Sequence, residues 1–139
     1  MQVIQTFRDA GFDIASPSGA DIVTGEEFVR FETDDATFSD SLVQSLTLEK
    51  IFAADAVYVV APEGYVGKTT CYEIGRVVQR RQPVYFSEHP DDLPVHIPAW
   101  CVVPPEQFVV QFAGSTSFEW LYSRDSGEIF DAERRLAPP

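Results

Sequence analysis

Cysteine is scarce in this chain. Cys71 and Cys101 are the only two in 139 residues, and they form neither a disulfide framework nor a metal-ligand spacing, so buried, reduced thiols are expected. Basic residues are also few: ten Lys and Arg against 22 Asp and Glu leave a formal charge of −12. Nucleic-acid binding relies on clustered Lys and Arg, so the balance argues against such a partner. A neutral or weakly charged small molecule fits it better. No apolar run approaches the roughly 20 residues of a membrane span, so no membrane partner is expected. The first residues show no basic, apolar, small-residue leader, which makes the cytoplasm the expected compartment. Repeats and low-complexity tracts are absent, and His89 and His96 lie near prolines in loops, where solvated side chains are the ordinary outcome. No metal and no cofactor is expected.

What is present is enough for a packed core. The 139 residues suit one domain, and 45% hydrophobic with 13% aromatic content excludes a disordered chain. Residues 1–10 carry Val3, Ile4 and Phe7 at helical spacing and end at Gly11, a good C-cap; residues 12–15 then read as a short strand. Residues 27–32 alternate as a second short strand, and Ser39 or Asp40 can cap a helix over residues 41–54. Residues 99–103 and 107–112 are two later apolar segments.

Residues 55–86 compress a buried strand, a glycine loop, a carboxylate-bearing helix and a second strand into one β-loop-α-β unit. Residues 57–61 are continuously apolar, as in a parallel strand covered on both faces, and the run stops at Pro62 and Gly64. Ligands of open α/β sheets bind beyond the carboxyl ends of the strands, which directs attention to residues 63–73.

On a helix from Lys68 to Arg80, Cys71, Ile74, Val77 and Val78 form an apolar stripe with Glu73 at its edge. A carboxylate near a helix start and against apolar walls suits a nucleophile or base; the alternative is a surface Glu paired with Arg76 one turn on. Gly67-Lys68-Thr69 matches the end of a phosphate-binding loop of the ATPase type, but Pro62 stands where the first glycine is required and supplies no N–H. Nucleotide hydrolysis is therefore not expected. A simpler site remains: the amides at the helix start, with Lys68 and the Thr69 and Thr70 hydroxyls, could hold one phosphate of a small ligand. Tyr65 and Tyr72 suit either base stacking or ordinary packing.

The strings Ala54-Asp55-Ala56-Val57-Tyr58-Val59-Val60, Gly64-Tyr65-Val66-Gly67, Glu73-Ile74-Gly75 and Pro83-Val84-Tyr85-Phe86 resemble the nucleoside 2-deoxyribosyltransferase-like superfamily, which includes deoxynucleoside 5'-monophosphate N-glycosidases. The similarity is best over residues 41–92. It implies an α/β fold with a three-layer, flavodoxin-like (Rossmann-like) parallel sheet, and cleavage or transfer at the N-glycosidic bond of a nucleoside or nucleoside 5'-monophosphate. By motif Glu73 would attack the anomeric carbon, with Glu63 orienting or protonating the leaving base. Asp55, Gly64, Tyr65, Gly67, Lys68 and Thr69 would bind substrate.

Two features depart from that pattern. Family members open with a strand and a small-residue loop, whereas this sequence begins at the helix, so the usual first strand reads as missing. Either the start lies upstream, or another strand fills the gap, or catalysis has been lost and a binding or interaction role kept. Arg76-Val77-Val78 also replace the small residue and Tyr-Ala expected after Gly75. Finally, the apolar residues of segment 114–139 are too many for a free tail. They are expected to pack on their own sheet or on a partner subunit, and a homodimer or higher homo-oligomer with Trp120 and Phe130 in its interface is the expectation.

Overall fold

The computed structural model describes residues 2–14, 39–115 and 117–139. The strand expected over residues 27–32 lies outside them. The chain groups into two compact units, Met1–Ala54 and Asp55–Pro139.

In the first unit, α1 spans Gln2–Asp9. It ends where Gly11 takes φ +92°, a conformation glycine adopts without a Cβ penalty. Gly11 N–H then bonds to Arg8 O at 3.0 Å and Phe12 N–H to Phe7 O at 3.0 Å, the paired bonds of a Schellman cap. This turns Phe12 back onto Phe7, with ring centroids 5.5 Å apart. Residues 12–14 therefore form no strand, contrary to the sequence expectation, because the cap captures Phe12 locally. Helix α2, Asp40–Ala53, is capped by Ser39, whose hydroxyl accepts the Leu42 N–H, and it buries Val43 and Leu48.

The second unit is mixed α/β. Strands β1 (Val57–Val59) and β2 (Val84–Phe86) pair in parallel with Tyr58 opposite Tyr85, and α3 (Lys68–Gln79) connects them and packs on β2. Val102 adds a single parallel bridge to Phe86. The strand expected over residues 57–61 is thus shorter, since Pro62 opens a 3-10 turn, Pro62–Gly64. Residues 107–112 fall within α4 (Pro105–Phe112), and a last helix, α5, covers Glu128–Leu136. Among the described residues no helix is long and apolar enough to cross a membrane.

Both sheet faces are covered. Side chains alternate along a strand, so Tyr58 and Tyr85 share one face. Tyr85 meets Phe108, Phe112, Phe118 and Trp100 at centroid distances from 5.0 to 6.2 Å, and Tyr58 meets Phe108 at 4.9 Å. Their hydroxyls are used as well: Tyr58 donates to Val103 O at 2.6 Å, and Tyr85 accepts the Glu119 N–H at 3.1 Å. Val59, Val84 and Phe86 are buried on the opposite face.

Segment 114–139 packs within its own unit. Leu121 and Tyr122 are fully buried and Trp120 nearly so, and the Trp120 indole N–H donates to Val78 O at 3.0 Å. Trp120 therefore does not present itself to a partner subunit as the sequence reading expected. Its ring is already covered by Arg81, whose guanidinium carbon lies 4.6 Å from the ring centroid.

Candidate functional site at the carboxyl ends of the parallel strands

Two loops leave the carboxyl ends of β1 and β2. The first, residues 60–67, climbs from β1 to α3; the second, residues 87–92, follows β2. Hydrogen bonds join them along their length. Ser87 N–H donates to Val59 O at 2.9 Å, and Ser87 Oγ accepts the Ala61 N–H at 2.8 Å. Further out, Glu88 Oε2 accepts the Glu63 N–H at 3.2 Å, and Asp91 N–H donates to Gly64 O at 2.9 Å. At the far end, Asp92 Oδ2 accepts from both Val66 N–H at 3.2 Å and Gly67 N–H at 3.3 Å.

This clasp sets the backbone of the first loop. Glu63 has φ +56° and Gly64 φ +83°, so the chain passes two successive residues through the left-handed region, where a non-glycine residue costs about 1–2 kcal/mol. Gly64 has a second reason to be glycine: a Cβ there would overlap the Asp91 carboxyl group and approach His89 O to 3.0 Å. Gly67, at φ +88°, caps α3.

The predicted site residues distribute as follows. Glu63, Gly64, Tyr65, Gly67, Lys68 and Thr69 lie together on the first loop and the first turn of α3. Glu73 is half-buried on the second turn, beside the buried Ile74. Tyr65 and Tyr72 are 68% and 48% exposed, and the Tyr72 hydroxyl accepts from Arg76 Nη1 at 2.6 Å. Asp55 is not brought to this group. It precedes β1, at the opposite end of the strand from the glycine loop.

Helix α3 begins at Lys68, and just ahead of it the Val66 and Gly67 N–H groups bind the Asp92 carboxylate. Those two N–H groups, Val66 first, hold the Asp92 carboxyl below the usual carboxylate range. Asp92 acts on α3 in turn: burial first, and then its negative charge, raise the Cys71 thiol. Cys101 is pushed up to about 12 by burial. Neither cysteine is a thiolate at neutral pH. Among the described residues no three His, Cys, Asp or Glu side chains gather as a metal site requires.

Ser87, Glu88, Asp91 and Asp92 are the site neighbours that sequence reasoning missed. A signal was available, since the run Ser87-Glu88-His89-Pro90-Asp91-Asp92 follows β2 directly, and the rule that places ligands beyond the carboxyl ends applies to both strands. Compared with family models, with curated proteins and with solved structures, the chain has no match in any of the three.

Proposed function

We propose that this chain cleaves or transfers the N-glycosidic bond of a nucleoside or nucleoside 5'-monophosphate, with Glu73 as nucleophile. The observation that carries the reading is the half-buried Glu73 on the second turn of α3, directly after a glycine loop at the carboxyl end of a parallel strand. The left-handed backbone at Glu63 supports it, because strain of this kind clusters at functional sites. In this reading a Glu73 oxygen bonds to the anomeric carbon as the bond to the base nitrogen breaks, and the base leaves with a proton, for which Glu63 is the candidate donor. Water or a second base then attacks the same carbon and frees the carboxylate. The wider fold would be a three-layer, flavodoxin-like sheet, and the protein a cytoplasmic homodimer. Ile129 and Leu136 support assembly, being 47% and 64% exposed and two turns apart on α5.

A second reading, a binding or interaction module without catalysis, is favoured by the hydrogen bonds that tie the two loops over the carboxyl ends of the strands. One assay separates them. A panel of purine and pyrimidine nucleosides, deoxynucleosides and their 5'-monophosphates, with and without an acceptor base, is followed chromatographically for free base. Release by the wild-type protein, reduced at least about a hundredfold in Glu73→Gln, supports catalysis; no release from any member, or equal release by the variant, replaces it with the binding reading.

A further inference from the structure

We propose that the outer face of α5 is a self-association surface, on which a second copy of this chain docks its own α5 antiparallel about a two-fold axis. This rests on the homodimer reading above, assigns it one face, and is independent of the role of Glu73.

Helix α5, Glu128–Leu136, has no buried residue, yet it is fixed from its inner side. Arg134 Nε donates to Tyr122 O at 2.8 Å, Gln79 Nε2 to Leu136 O at 2.7 Å and Arg81 Nη2 to Arg134 O at 3.0 Å. Phe130 turns inward as well, its ring centroid 6.0 Å from that of Tyr122 and 5.3 Å from that of His96. With Phe130 and Arg134 on the inner side, a turn of about 100° per residue sets Ile129, Ala132 and Leu136 in one outer stripe. Glu128 and Arg135 run along its edge. Ile129 and Leu136 are 47% and 64% exposed, and Glu128 and Arg135 are exposed too. Because polar bonds hold the helix in advance, docking on this stripe carries little ordering cost.

The charges along the edge are self-complementary, which selects a second copy as the occupant. Glu128 stands in the first turn and Arg135 in the last, and among the described residues neither takes part in an ion pair. In an antiparallel pair Glu128 of each copy meets Arg135 of the other, while Ile129 of each covers Leu136 of the other and Ala132 leaves room for close approach. A parallel pair would instead set Glu128 against Glu128 and Arg135 against Arg135, with the helix dipoles aligned unfavourably. Glu133 lies on the opposite flank and is half-buried in its own unit. Two chains of formal charge −12 repel one another at long range, and physiological salt screens that repulsion beyond about 8 Å while the contact pairs persist.

Sedimentation equilibrium at physiological salt tests this on the wild-type protein, Ile129→Gln, Leu136→Gln, Glu128→Arg, Arg135→Glu, and an equimolar mixture of the last two. All four side chains are exposed, and circular dichroism checks folding. The stripe is smaller than a standard interface, so the wild-type protein should form a dimer with a Kd of about tens to hundreds of micromolar. Each residue occurs twice across the two-fold axis, so each single variant should weaken the dimer at least about tenfold. The mixture should recover it, because every edge pair is then again of opposite sign. A dimer left intact by all four variants overturns this face and leaves the homodimer reading standing; a monomer at about 500 micromolar, above the expected Kd, overturns both. A mixture that associates no better than its separate components overturns the antiparallel arrangement and with it the inference. The catalytic reading is judged separately, by base release.

Discussion

The guanidinium of Arg81 lies over the indole of Trp120, 4.6 Å from its centroid, and Arg81 itself holds φ +58° at the end of α3. Its N–H bonds to Val78 O, and the Gln82 N–H to Val77 O, both at 3.1 Å, so Arg81 occupies the position that glycine normally takes in a Schellman cap. The side chain offsets the backbone strain. Nη2 donates to Arg134 O at 3.0 Å and Nε to Ala137 O, which fastens the carboxyl-terminal segment to the end of α3.

Arg81→Ala should therefore destabilise the protein by about 1–3 kcal/mol, from the lost stacking and hydrogen bonds. Arg81→Gly removes the same interactions but also the left-handed strain, so it should cost about 1 kcal/mol less than Ala. Urea denaturation of the two variants decides the order. Alanine equal to or better than glycine would contradict the account.

Removing residues 114–139 should abolish cooperative unfolding, because it strips Trp120, Leu121 and Tyr122 from the core. A truncated protein that still melts in one sharp transition would show that this segment is not integral to its unit.

Gly64→Ala tests the clasp. The φ of +83° and the overlap with Asp91 together should cost about 2 kcal/mol or more. Gly75 provides the control, since nothing lies within 4 Å of a Cβ there and alanine is the better helix former. Equal stability of the two alanine variants would remove the close approach as an explanation.

Acid should open the same clasp. The Val66 and Gly67 N–H groups lower the folded-state value of Asp92, so its contribution is present above the unfolded value of about 3.9 and is lost as pH falls through the depressed value. The Val66 and Gly67 amide resonances should accordingly titrate with a midpoint below about 3.9, and Asp92→Asn should abolish that step. A midpoint at or above the ordinary value would mean that the carboxylate is not held.

Local patterns were legible in the sequence and long-range pairings were not. The β1–loop–α3–β2 unit follows from an apolar run, two glycines and helical spacing, all within neighbouring residues, and Gly11 announces the end of α1. The reading of a strand after Gly11 failed because the alternation of Phe12 and Ile14 is ambiguous over so few residues, and the cap returns Phe12 to Phe7. The clasp joins residues 25 to 28 positions apart, and Arg81 meets Ala137 across 56. Sequence shows that such polar groups exist, not which partners they find. Trp120 illustrates the same limit for apolar groups: its hydrophobicity demanded burial, and the burial is supplied by its own unit.

The central claim, that Glu73 is the nucleophile, has a direct measurement. A nucleoside whose 2'-fluoro substituent destabilises the oxocarbenium-like state should slow release of the sugar from the protein, and peptide mass spectrometry after brief incubation can then locate the adduct. The account predicts one added fluorosugar on the peptide that carries Glu73, absent from Glu73→Gln. An unmodified protein after the base has been released, or a sugar attached to a different residue, would contradict it.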